Sequence, residues 1–240
     1  MHGTRAMLNE ARAIDRAAAR NPKVQVAIAP PFTLIYRMRD SVDIIGVGGQ
    51  DCHVEEAGAF TGDVSAAMIK DSGGDFTIVG HSERRAMHGD TDALVRAKAQ
   101  AALSAGLGVI VCVGETEAER EAGKALDVVA EQVEASTPRG ENVCEKLSIA
   151  YEPVWAIGTG KVASVADIEE MHRSIRTKLV DIFGEAGADV RILYGGSVKA
   201  ENAAEILSAN EVGGALVGGA SLTAESFLAI VGAAVISAAD

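Results

Sequence analysis

The chain has 240 residues, 48% of them hydrophobic and 23% charged, which supplies apolar material for one large core and excludes a disordered chain. A formal net charge of −12 speaks against a nucleic-acid surface or an anionic membrane as partner, because either would be repelled over much of the molecule. An anionic substrate must be held by local donors. In chain order, a helix is expected over residues 4–20, with Thr4 a candidate cap and Asn21-Pro22 the stop. Strand and helix then alternate. Short runs, apolar on both faces as buried parallel strands are, fall at 24–29, 44–49, 76–79, 108–113, 147–150, 190–194 and 214–217. Helical patterns lie at 32–40, 65–70, 91–105, 116–135, 164–183, 200–208 and 221–236. Thr116 with Glu119 reads as a capping box and Gly106 as a helix stop.

No linker, charge block or low-complexity segment divides the chain, so a single domain over 1–240 is expected. Cys52, Cys112 and Cys144 lack metal-ligand spacing and cannot all pair with one another, which fits a reducing, cytosolic compartment. No apolar span of membrane length occurs. The pattern contains seven strands and eight helices and begins with a helix. An α/β barrel needs eight strands, each followed by its helix, so the missing unit is the first strand. An open doubly wound sheet tolerates seven. The count leaves the architecture open.

The loops at the strand ends are more informative. Residues 151–161, Tyr-Glu-Pro-Val-Trp-Ala-Ile-Gly-Thr-Gly-Lys, place Glu152 where a buried strand gives way to a glycine-punctuated loop. Pro153 biases Glu152 toward extended backbone, while Gly158 and Gly160 permit positive φ or close approach to a ligand. A stiff entry and a glycine-rich tip suit a closing loop. Residues 79–85, Val-Gly-His-Ser-Glu-Arg-Arg, put His81 at a strand end and at the start of a short helix, whose N-terminus disfavours imidazolium. Two glycine-rich strand ends follow, residues 194–198 (Tyr-Gly-Gly-Ser-Val) and 217–221 (Val-Gly-Gly-Ala-Ser). Paired glycine turns of this kind let several N–H groups face one anion, and barrel enzymes frequently bind phosphate after their last two strands.

These motifs, with Ala29-Pro30-Pro31, residues 58–62 (Gly-Ala-Phe-Thr-Gly) and residues 112–115 (Cys-Val-Gly-Glu), resemble the triosephosphate isomerase family. They occur in the family's order, from the first to the last strand. The resemblance implies a (β/α)₈ barrel acting on a triose phosphate. Glu152 would shuttle a proton between adjacent carbons of dihydroxyacetone phosphate and glyceraldehyde 3-phosphate, and neutral His81 would polarise the carbonyl. Those two roles come with the resemblance and not from the spacing. Gly158, Ser197, Gly218 and Gly219 would hold the phosphate under a closing loop. Glu83, Cys112, Glu115 and Tyr194 would support the site, with Cys112 an inert buried thiol. The loop around Thr61 would dock into a partner subunit, making a homodimer. No metal or organic cofactor is implied.

Two departures from the family pattern matter. Family members begin with a strand running into Asn-x-Lys-Met-Asn-Gly, and Met1-His2-Gly3-Thr4 resembles the tail of that motif. The expectation is a barrel without its first strand, lacking the lysine that binds phosphate and the asparagine beside it, so that turnover is in doubt. Asp51 stands where the family usually has asparagine. The competing readings are another sugar-phosphate isomerase or epimerase, and a non-catalytic phosphate-ligand-binding barrel. The first does not predict the His81 and Glu152 motifs together, and the absent lysine is the best support for the second.

Overall fold

A computed structural model describes residues 1–157 and 161–237. Six parallel strands pair in sequence order: β1 (Ala27–Ile28), β2 (Gly46–Gly49), β3 (Phe76–Val79), β4 (Gly108–Val113), β5 (Leu147–Tyr151) and β6 (Arg191–Tyr194). The expected strand at 214–217 is a single bridge, Tyr194 with Ala215, in which Leu216 N–H donates to Tyr194 O at 2.9 Å. Glycines 213 and 214 account for this, the second with φ of +154°, since glycine has little tendency to extend a ladder.

The helices are α1 (Leu8–Ala18), α2 (Ile35–Arg39), α3 (Ala66–Asp71), α4 (Ser82–His88), α5 (Asp92–Ser104), α6 (Glu117–Glu121), α7 (Ala125–Ser136), α8 (Val143–Lys146), α9 (Val165–Phe183), α10 (Ala203–Leu207) and α11 (Ala224–Ser237). Thr4 precedes a 3₁₀ turn, Arg5–Met7, and its side chain makes no capping bond. The Thr116–Glu119 capping box is present at the start of α6. The single helix expected over 116–135 is two, because Gly123 takes φ of +70° and ends α6 in the left-handed conformation that glycine adopts at little cost. None of the described helices is long and apolar enough to cross a membrane.

The main core lies between sheet and helices, where Val111, Ile149 and Ile192 meet Val95, Val133 and Ile175. Ile78, Cys112 and Ala150 form a smaller cluster on the opposite face of the strands, with Cys112 and Ala150 direct partners. Burial on both faces explains why alternation is absent from these strands. At the other end of the order, Ala224 N–H donates to Glu10 Oε2 at 2.7 Å, joining α11 to α1, and Arg191 Nη1 donates to Gln25 Oε1 at 2.8 Å. Among the described residues no ladder joins the last strand position to β1. Residues 1–4 carry no strand, and Gly3 packs where a Cβ would lie 2.8 Å from Pro31 Cδ, just past β1.

Candidate active site

The site is built where β3, β4, β5 and β6 end together. Val113, Tyr151 and Tyr194 are in register across β4, β5 and β6, so Gly114, Glu152 and Gly195 leave the sheet side by side. Glu152 N–H donates to Val113 O at 2.8 Å and Gly195 N–H to Tyr151 O at 2.7 Å. The flanking glycines are a steric necessity. A Cβ on Gly114 would lie 1.8 Å from Glu152 O, and one on Gly195 2.9 Å from Glu152 Cγ.

Glu152 is 2% exposed, and the contacts to its carboxylate come from β3 and β4. Ser82 N–H donates to Oε2 at 3.0 Å and Ser82 Oγ–H to Oε1 at 3.3 Å. His81 Nε2 lies 3.0 Å from Oε1. Burial raises the pKa of the nearby Cys112 thiol well above the ordinary thiol value, and the influence of Glu152 adds to this. Cys112 is fully buried, consistent with an inert thiol.

His81 is the residue before α4, and its Nδ1 accepts the Glu83 N–H at 3.3 Å. An amide can only donate, so Nδ1 carries the lone pair and Nε2–H faces Glu152. Two influences oppose each other on this ring. Burial pulls the imidazole pKa down, but the hydrogen bond and charge of Glu152, with the charge of Glu83, outweigh it and hold the value above the ordinary 6.5. The arrangement at Nδ1 is that of the neutral ring, while the contact with Glu152 raises the ring's affinity for a proton. Glu83 itself presents a side chain that is 71% exposed, 4.0 Å from Nδ1; it acts here through its amide and its charge.

The supporting residues divide into two groups. Glu115 is fully buried, and its Oε1 receives Tyr151 Oη–H at 3.1 Å, Trp155 Nε1–H at 2.7 Å and Arg120 Nη1–H at 3.3 Å. Tyr194 is buried against Tyr151 and His172, with ring centroids 6.3 and 6.4 Å away. Burial raises its phenol pKa to about 12. A Cβ on Gly196 would meet the Tyr194 hydroxyl at 2.2 Å, which explains the second glycine of that motif.

Gly218 and Gly219 open a 3₁₀ turn, Gly219–Ser221, and a Cβ built on either meets nothing within 4 Å. Both therefore border open space. Ser197 is half-buried and its carbonyl accepts Asn202 Nδ2–H at 3.0 Å. Gly158 lies outside the described residues. Thr61 is on an exposed turn, next to Phe60, whose ring stacks 4.1 Å from that of His53. Asp51 joins a buried network: Lys98 Nζ lies 3.0 and 2.9 Å from its two oxygens and 2.7 Å from Asp90 Oδ2. Arg84 Nε of α4 lies 2.8 Å from Asp51 Oδ2. Among the described residues, no three His, Cys, Asp or Glu side chains are arranged to hold a metal ion.

Ser82 and Arg120 were not singled out by the sequence. Ser82 stands inside the His81 motif, so its neighbourhood was visible; its contact with a residue 70 positions away was not. Arg120 carries no local signal beyond a charged helix.

Parallel strands wrapped by helices, with polar side chains gathered at the carboxyl ends, make this an α/β-barrel protein with the enzymes' customary working face. The model of the triosephosphate isomerase family matches residues 1–234. The chain is 56% identical over 234 residues to the triosephosphate isomerase of Caulobacter vibrioides, covering 96% of this chain and 92% of that one. It is 53% identical over 233 residues to that of Afipia carboxidovorans, with the same coverage of 96% and 92%. The crystal structure of triosephosphate isomerase from Bartonella henselae superposes with a TM-score of 0.91 at 46% identity, covering 97% of this chain and 94% of that one. The chain belongs to the triosephosphate isomerase family.

Proposed function

We propose that this chain interconverts dihydroxyacetone phosphate and glyceraldehyde 3-phosphate through an enediolate, with Glu152 as the base and His81 as the electrophile. The observation that carries the reading is the apposition of a buried carboxylate and an imidazole Nε2 at 3.0 Å, at the strand ends beside an open glycine turn. Proton transfer between neighbouring carbons needs a base on the carbon side and a donor on the oxygen side. The site has one of each.

The ligand-free contacts describe the resting state. A substrate entering between Glu152 and His81 takes the carboxylate from Ser82 and the imidazole. Glu152 then removes a proton from one carbon while Nε2–H is left to the substrate oxygens. Separation removes the influence that raises the His81 pKa, and burial with the Glu83 amide then favours the neutral donor. Donation from the Nε2–H of a neutral imidazole to an enediolate needs no charged acid. Glu152 returns the proton to the adjacent carbon, and the proton that Nε2–H gives to the carbonyl oxygen is replaced from the neighbouring hydroxyl, so the reaction leaves the enzyme unchanged.

Ser197, Gly218 and Gly219, with Gly158 from outside the described residues, are the phosphate donors in this reading. Support comes from the open space beside both glycines and from the general use of such turns for anions. The exposed loop around Thr61 and the half-exposed Phe60 support a homodimer built as in the family resemblance. Reduced, unpaired cysteines fit a cytosolic protein.

Steady-state kinetics on E152Q and H81Q test the assignment. Each substitution is expected to lower kcat by about 10²–10⁴-fold without a comparable rise in KM. Retention of full turnover by E152Q removes the carboxylate from the mechanism.

A further inference from the structure

The connection from β5 to α9 has two stems, and one side chain touches both. On the first stem, Trp155 and Tyr151 donate to the same oxygen of Glu115, and Tyr151 is the residue immediately before Glu152. Arg120 Nη1 reaches that oxygen at 3.3 Å, and its guanidinium carbon lies 4.7 Å from the centroid of the Trp155 ring. On the second stem, Arg120 Nη2 lies 2.5 Å from Asp167 Oδ1. Asp167 closes the capping box that begins α9: its Oδ2 accepts Ser164 N–H at 3.1 Å and Ser164 Oγ–H at 2.6 Å.

We propose that Arg120 is a positioning residue for the isomerase reaction, clamping both stems of this connection so that Glu152 and the residues after it meet the substrate in one geometry. The clamp uses both terminal nitrogens of the guanidinium and its flat face. One nitrogen serves Glu115, another serves Asp167, and the flat face covers the indole. A cation needed only to neutralise buried Glu115 would use none of the last two. Lysine supplies charge but has neither a fork nor a planar face, so R120K separates a clamp from a counter-ion. The proposal rests on the isomerase reading given above, because it assigns the clamp's effect to Glu152.

Arginine 120 is tested by comparing the parent, R120K and R120M. The readouts are kcat and KM for dihydroxyacetone phosphate, melting temperature, and the emission of Trp155, the single tryptophan of the chain, with and without glycerol 3-phosphate. R120K is expected to melt close to the parent and yet lose about 10–100-fold in kcat/KM, the scale of a small misplacement of reacting groups. Its Trp155 emission should differ from the parent's, and so should the emission change on adding glycerol 3-phosphate. Parental kcat, KM and emission in R120K overturn the clamp, as does full rescue of an R120M defect by lysine. R120M failing to fold leaves the decision with R120K. If the parent itself does not turn over dihydroxyacetone phosphate, the isomerase reading fails. The emission of R120K then still decides the clamp, and an unchanged spectrum overturns it.

Discussion

The proton on His81 is set by the distance between two side chains. With Glu152 at 3.0 Å from Nε2, the imidazole pKa is held above 6.5 in the folded chain. A raised value contributes stability that is fully present below 6.5 and is lost as pH rises through the folded-state value. Melting temperatures of the parent and H81Q, measured across pH 5–9, should therefore differ most below pH 6.5 and converge only once the pH has passed the higher folded-state value. A constant difference throughout would mean that the ring does not titrate against Glu152. His81 and Glu152 were legible because each sits in a short strand-end motif. The environment of each was not: Ser82 and Cys112 reach Glu152 only through the register of β3, β4 and β5. The same register gives Gly114 its meaning, since any side chain there would strike the Glu152 carbonyl.

Among the elements, the strands and the longer helices were legible from apolar runs and punctuation, and the Thr116 capping box was read correctly from four residues. The errors have local causes. Gly123 ends α6 inside what looks like one helical pattern, and the glycine-rich run before Ala215 supports a bridge in place of a strand. What joins element to element is less visible. Asp15 of α1 accepts the N–H groups of Asp43, Ile44 and Ile45 on one oxygen at 3.2, 2.8 and 3.0 Å, tying the first helix to the entry of β2. Burial raises its pKa, but those three amides and the charge of Arg39 outweigh it, and the net shift is below 3.8. A lowered carboxyl contributes stability above 3.8 that is lost as pH falls through the folded-state value. D15N should cost about 2–3 kcal/mol in urea unfolding at pH 7, and its deficit should shrink below pH 3.8. An equal deficit at pH 7 and pH 3 would show that the charge is irrelevant.

For the whole molecule, a net charge of −12 means that an anionic substrate is drawn in by donors at the strand ends and not by the overall field. The helical layer closes through Glu10 and Ala224. Phe60 is exposed on the expected docking loop and Met68 on α3, the helix that follows it. Sedimentation at micromolar concentration should report about twice the 24.8 kDa of one chain, and substituting Thr61 by Arg should shift it toward one copy. A single-chain mass for the parent would remove the partner from the account.

The most direct test of the central claim is to run the reaction in deuterium oxide and follow dihydroxyacetone phosphate and its product by proton NMR. A carboxylate that carries a proton between adjacent carbons exchanges it with solvent. The parent should convert the substrate and, over repeated turnovers, place solvent deuterium on those carbons, and E152Q should do neither at a comparable rate. Conversion or exchange as fast in E152Q as in the parent would contradict Glu152 as the base.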